Sequence, residues 1–175
     1  MQGVLCWSFI FFVVLRLLTV FISARNEKKL KKLGAVEYGK TNSTILIIAH
    51  FGFYIACLTE GLGGPMFSTT VGVAGFWIYV FSVLMLYYVI YTIRHVWTVK
   101  LLIAPALYHT INRNFIFRVV KHPNYFLNII PELVGIALVF QAWYTLIIGL
   151  PLYLISLFIR IKQEEKIMKE KFRDY

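Results

Sequence analysis

Five apolar stretches, Val4–Ile22, Thr44–Glu60, Val71–Ile93, Asn124–Phe140 and Trp143–Ile159, take up most of this chain of 175 residues. A helix crossing a bilayer needs about 20 predominantly apolar residues, and in lipid the backbone has to satisfy its own hydrogen bonds. The chain is therefore expected to be an all-α integral membrane protein with about five transmembrane helices, the second, fourth and fifth on the short side. With 59% hydrophobic, 17% aromatic and only 15% charged residues, it lies outside the range of soluble domains.

Charge sets the expected orientation. The formal net charge is +10, and the basic residues fall in three blocks: Arg25–Lys40, Arg94–Lys121 and the tail from Arg160. With five spans all three blocks lie on one side, whereas Gly61–Thr70 and Gln141-Ala142 on the other carry no Lys or Arg. The positive-inside rule then puts the N-terminus outside and the C-terminus in the cytoplasm. Blocks placed in this way argue against nucleic acid as a partner. Cys6 and Cys57 sit in separate apolar runs, which suggests neither a disulfide framework nor a thiolate metal site. The scattered histidines lack carboxylates at ligand spacing, so no metal is expected. The first run has no basic n-region and reads as a retained helix rather than a signal peptide. The sequon Asn42-Ser43-Thr44 falls on the cytoplasmic side and is expected to be unused.

Several features have structural readings. Arg16, a basic residue inside a span, is expected to snorkel to the cytoplasmic interface. Arg25–Leu33 reads as a short interfacial helix on anionic lipid, with Leu30 and Leu33 against a lysine-rich face. His50 and His95 read as interhelical hydrogen-bonding groups. Gly61-Leu62-Gly63-Gly64-Pro65 reads as a turn, since no strand precedes it.

Chemistry concentrates in residues 94–175, the expected catalytic half, as opposed to residues 1–93 with three helices and the basic segment 25–40. The polar connection Arg94–Lys121 is long enough to suggest function. It leads into Lys121-His122-Pro123-Asn124-Tyr125, where proline suits the first turn of a helix. The last two spans, joined at Gln141-Ala142, form an antiparallel hairpin of nearly equal arms. That hairpin returns Arg160, Gln163, Glu164 and Glu165 to the membrane face that carries Arg118, Lys121, His122 and Tyr125. A pocket between the two groups is expected. Pro131-Glu132 adds a kink and an intramembrane carboxylate. Glu132 is a functional candidate or a helix-to-helix hydrogen bonder, and with Asn128 it is assigned to the acceptor.

The order of a polar loop Tyr108–Arg118, Lys-His-Pro-Asn-Tyr, a helical hairpin and Arg160-x-x-x-Glu164-Glu165-x-x-Met168-x-x-x-Phe172 resembles the isoprenylcysteine carboxyl methyltransferase family and its bacterial relatives over Tyr91–Tyr175. Lys121 stands where the family pattern has arginine, keeping the charge without the bidentate fork. The resemblance implies a helical membrane enzyme that binds S-adenosylmethionine in a cytosolic pocket. It would methylate an oxygen, carboxylate or hydroxyl, of a lipophilic acceptor such as a prenylated cysteine or an alkyl polyketide. A phospholipid amine, or a non-enzymatic helical scaffold that binds lipid, is the alternative. It further implies a cofactor site formed by His109, Arg118, Lys121, His122, Tyr125 and Glu164, with Glu164, Glu165 and His122 at the reaction centre.

Overall fold

The computed structural model describes residues 2–103, 105, 116 and 119–171. Of the polar loop, residues 108–115 with His109 and residue 117, together with Arg118 and Phe172, lie outside the described residues. Among the described residues, four helices are long and apolar enough to cross a membrane: α1 (Gln2–Lys32), α2 (Lys40–Gly61), α3 (Thr70–Thr92) and α5 (Thr145–Lys171). A shorter apolar helix, α4 (Asn124–Phe140), precedes α5. The chain is thus an all-α membrane protein, with one small exception at the basic end.

The exception is a two-stranded antiparallel sheet of β1 (Val36–Tyr38) and β2 (Leu101–Ile103), paired Val36 to Ile103, Glu37 to Leu102 and Tyr38 to Leu101. Side chains alternate across a strand, and β2 uses both faces. Leu102 packs on Leu30 of α1, while Leu101 and Ile103 pack on Ile167 and Met168 of α5. The strap ties the basic ends of α1 and α5 together.

This contact corrects one expectation. Arg25–Leu33 is not a separate interfacial helix, because α1 runs unbroken through 31 residues. At 1.5 Å per residue it is about 46 Å long, more than a ~30 Å hydrocarbon core, so its last turns leave the membrane. Leu30 is 2% exposed, covered by protein rather than lipid.

α3 is the central helix and packs most extensively against α4. Gly75 and Gly135 face each other at the crossing, where a Cβ on Gly135 would lie 2.7 Å from the Tyr79 nitrogen. Around this pair, α1, α2 and α5 expose Trp7, Phe21, Ile48, Ile55, Ile147 and Leu152, the apolar surface expected against lipid. The hairpin is present: Gln141, at φ 52°, turns the chain between α4 and α5.

Both hairpin arms contain a π-helical turn just before a proline. Residues Asn124–Ile129 precede Pro131, and Thr145–Gly149 precede Pro151. Proline has no N–H to donate, and the ladder shifts instead, with Ile130 N–H reaching Tyr125 O and Leu150 N–H reaching Thr145 O. Turns of this kind are frequent at functional sites.

Candidate functional site

The fourth helix begins where the proline predicts. Pro123 is helical at φ −62°, ψ −33°, and the Tyr125 and Phe126 N–H groups donate to the His122 carbonyl at 3.1 and 3.2 Å. This start directs His122 and Tyr125 toward α5, and the two rings stack at 5.7 Å with 30° between their planes.

The returning arm supplies the carboxylates. His122 Nε2 lies 3.2 Å from Glu165 Oε1, and its Nδ1 lies 3.7 Å from Glu164 Oε1. The Tyr125 hydroxyl donates to Glu164 Oε2 at 2.5 Å. Lys121 Nζ is 2.9 Å from Glu165 Oε1. Residues about forty apart in sequence thus form one cluster at the basic end. His122 and Tyr125 are its buried floor, at 6% and 8% exposure.

Arg160 extends this floor. It is 3% exposed, and its guanidinium donates to Ser43 Oγ at 2.5 Å, the Val99 carbonyl at 3.1 Å and the Tyr125 hydroxyl at 3.4 Å. All three acceptors are neutral oxygens. A buried cation surrounded by neutral acceptors keeps capacity for an anion.

Electrostatics tighten the cluster. Burial by itself would lower the His122 pKa, but hydrogen bonding and attraction to Glu164 and Glu165 outweigh it and raise the value above the usual 6.5. Burial would raise Glu164, yet hydrogen bonds from His122 and Tyr125 bring it below the ordinary carboxylate value. Glu165, bonded first to Lys121 and then to His122, falls to about 2. At neutral pH both carboxylates are charged, as an ammonium ligand requires.

A cavity of about 440 Å³ opens behind this cluster, a size typical of small-molecule sites. Tyr125 and Arg160 line its basic end, and Arg16, His50, Tyr54 and Tyr153 line it deeper in the membrane. Asn128 also lines the cavity, whereas Glu132, 0% exposed, lies behind that wall.

Glu132 gathers donors from several helices. Its Oε1 accepts from Arg16 Nε at 2.6 Å and Tyr54 Oη at 2.5 Å, with His50 Nε2 at 3.2 Å. The Asn128 amide, oriented with its nitrogen inward, donates to Glu132 Oε2 and the Ser82 carbonyl, both at 3.2 Å. This corrects the expectation for Arg16, which does not snorkel. Arg16 turns inward because a carboxylate on α4 waits at its own depth. The sequence held that signal in two opposite charges, each about two turns from the basic ends of their spans. His50 bridges helices as expected, contacting α4 through Glu132 and α5 through the Tyr153 hydroxyl, 3.4 Å from Nδ1. His95 only accepts from the neighbouring Arg94 Nε at 3.1 Å. Of the residues around the cavity, Arg160 was placed by the hairpin at the expected pocket, whereas Tyr54 and Tyr153 carry no sequence signal of a site, since a tyrosine in a span carries no positional signal. Among the described residues no group of three His, Cys, Asp or Glu is placed to hold a metal.

No solved structure matches the chain. A Haemophilus influenzae protein described as uncharacterized is 47% identical over 165 residues, covering 94% of this chain and 95% of its own length. The uncharacterized protein YpbQ of Bacillus subtilis is 27% identical over 161 residues, covering 90% of this chain and 92% of its own. The sequence pattern of the isoprenylcysteine carboxyl methyltransferase (ICMT) family matches residues 73–170, a span running from α3 through the hairpin to the paired glutamates. The chain belongs to the ICMT family and is a membrane methyltransferase for a lipid-like acceptor.

Proposed function

We propose that the protein transfers a methyl group from S-adenosylmethionine to an oxygen of an amphiphilic acceptor that enters from the bilayer. The observation carrying this reading is the convergence of Lys121, His122, Glu164 and Glu165 around Tyr125, which itself lines the cavity shared with His50 and Tyr54.

The donor set fits the cofactor's chemistry. An amino-acid ammonium needs an anion, and Glu164 with Glu165 supplies two. A carboxylate needs a cation, for which Lys121 and Arg160 are the nearest described candidates. S-adenosylmethionine, when bound, supplies an electrophilic methyl group on a sulfonium. An aromatic face such as that of Tyr125 stabilises such a cation by about 1–2 kcal/mol. The residues contribute mainly alignment and exclusion of water, which is what an in-line displacement needs. His122, held on two carboxylates, fixes the Glu164–Glu165 wall against Tyr125.

The acceptor side is apolar along Val13, Leu17, Val20 and Leu46 and polar at its inner wall, suited to a chain with one oxygen-bearing head. The basic end faces the cytoplasm in this reading, as the positive-inside rule requires. Isothermal calorimetry with S-adenosylhomocysteine on the purified protein tests it. Saturable binding is expected. No heat at millimolar ligand refutes it. Incubating the protein with methyl-labelled S-adenosylmethionine and a membrane lipid extract then identifies the acceptor.

A further inference from the structure

Arg16 and His50, on α1 and α2, lie outside the matched span 73–170, yet both line the cavity. A wholly structural ion pair between Arg16 and Glu132 would be expected to stay sealed. Here it has an imidazole beside it that lines the cavity.

Glu132 is surrounded by donors. Its Oε1 takes Arg16 Nε at 2.6 Å and Tyr54 at 2.5 Å, and its Oε2 takes Asn128. His50 Nε2 lies between this carboxylate, 3.2 Å from Oε1, and the Arg16 Nη2 donor at 3.4 Å; the nearer neighbour is the anion, an acceptor only, and it favours the hydrogen on Nε2. The neutral imidazole then has its lone pair on Nδ1. Among the described residues that atom is in contact with the Tyr153 hydroxyl at 3.4 Å, long for a bond between these groups. A basic nitrogen, its tautomer favoured by a buried carboxylate, therefore borders a cavity with a hydroxyl at its side. This is the arrangement of an oriented general base.

We infer that His50 is the proton acceptor for the transferred group, with Glu132 and Arg16 as positioning residues, and that the acceptor atom is a hydroxyl oxygen rather than a carboxylate. The inference rests on the methyltransferase reading above. A carboxylate is ionised at neutral pH and needs no base, whereas a hydroxyl must lose its proton as it attacks. The hydroxyl proton passes to Nδ1, the oxygen forms its bond to the methyl carbon, and the methyl–sulfur bond breaks with its electron pair remaining on sulfur. The products are a methyl ether, a neutral thioether and an imidazolium. The imidazolium lies against Glu132, which offsets its charge, and returns its proton to water afterwards. Arg16 keeps Glu132 ionised, and Tyr153 is placed to donate to the acceptor oxygen. His50 and Tyr125 line the same cavity, and Tyr125 is bonded to Glu164 of the basic-end cluster.

The charged and titratable groups facing His50 come from every helix around it: Arg16 on α1, Tyr54 on α2, Tyr79 on α3 through the Tyr54 hydroxyl at 3.3 Å, Glu132 on α4 and Tyr153 on α5.

The test uses the full chain in detergent with methyl-labelled S-adenosylmethionine and membrane lipid extract, comparing wild type with His50→Gln and Glu132→Gln. Glutamine keeps a donor toward Glu132 and removes the base. The label is expected in an alkali-stable ether, and wild-type turnover is expected to rise with pH as an imidazole loses its proton. His50→Gln loses at least a hundredfold in turnover together with that pH dependence, while S-adenosylhomocysteine binding by calorimetry stays within twofold of wild type. Nitrogen NMR of isotope-labelled histidine should find the Nε2–H tautomer at neutral pH in wild type and no such signal from His50→Gln. Label released by alkali as methanol, or a His50→Gln protein with wild-type turnover, overturns this assignment and leaves the methyltransferase reading standing. Absence of S-adenosylhomocysteine binding to wild type overturns both.

Discussion

Replacing Glu132 by leucine tests the ion pair at the centre of the bundle. Arg16 Nε sits 2.6 Å from the carboxylate, with side-chain exposures of 14% and 0%. Removing the anion leaves a guanidinium in a largely apolar space and strips Tyr54, His50 and Asn128 of their shared acceptor. Breaking a buried pair in this way costs about 3–5 kcal/mol. At about 2–4 °C per kcal/mol for a chain of this size, the melting temperature should fall by about 6–20 °C. The double variant Arg16→Met, Glu132→Leu removes both charges, and an apolar pair of similar volume is often no less stable than the ion pair it replaces. It should therefore recover most of the loss. The assay is thermal unfolding in detergent, followed by circular dichroism, on the wild type, both single variants and the double. Single variants that melt within 2 °C of wild type, or a double variant that loses the sum of the two singles, would show that Arg16 is satisfied by solvent or lipid head groups after all.

Four further outcomes follow from the same contacts. His122→Ala removes the ring stacked on Tyr125 and the partner of both glutamates, and should weaken S-adenosylhomocysteine binding at least tenfold by calorimetry, about 1.4 kcal/mol; Glu165→Gln should do likewise. The raised His122 pKa adds stability that is complete below pH 6.5 and is lost as pH rises through the folded value, whereas the lowered Glu165 value adds stability that is complete above 4.5 and is lost toward about 2, and Glu164, lowered as well, loses its share as pH falls below 4.5. The melting-temperature difference between wild type and Glu165→Gln should therefore be greatest between pH 4.5 and 6.5, and a difference that is flat with pH would contradict the cluster. Gly135→Ala places a methyl 2.7 Å from the Tyr79 nitrogen and 3.0 Å from the Gly75 carbonyl oxygen, and overpacking of this kind should cost about 1–3 kcal/mol in the same thermal assay. Lys121→Arg keeps the charge opposite Glu165 at an exposed site, and stability should change by less than about 0.5 kcal/mol.

The sequence by itself determined what depends on composition and order along one axis. Apolar runs of about 20 residues made the chain a membrane protein, and the three basic blocks placed their ends together. The short turn at Gln141-Ala142 between arms of similar length made it unavoidable that Glu164 and Glu165 return to the level of His122 and Tyr125. Depth in the membrane is a one-dimensional property, and hydropathy reports it directly.

The tertiary structure decided what depends on which helix stands beside which. Arg16 and Glu132 share a depth that could be counted from the sequence, but only the lateral packing of α1 against α4 makes them partners rather than two separately solvated charges. His50 reads from the sequence as an interhelical hydrogen-bonding group, and only the packing names its partners, Glu132 on one side and Tyr153 on the other. The strap of β1 and β2 is three residues on each side, too short for an alternating pattern to be told from a loop, and its burial comes from Leu30, Ile167 and Met168 on other elements. Azimuth and neighbour are set by close packing, as at Gly75 and Gly135, where two backbones meet because neither has a side chain to keep them apart.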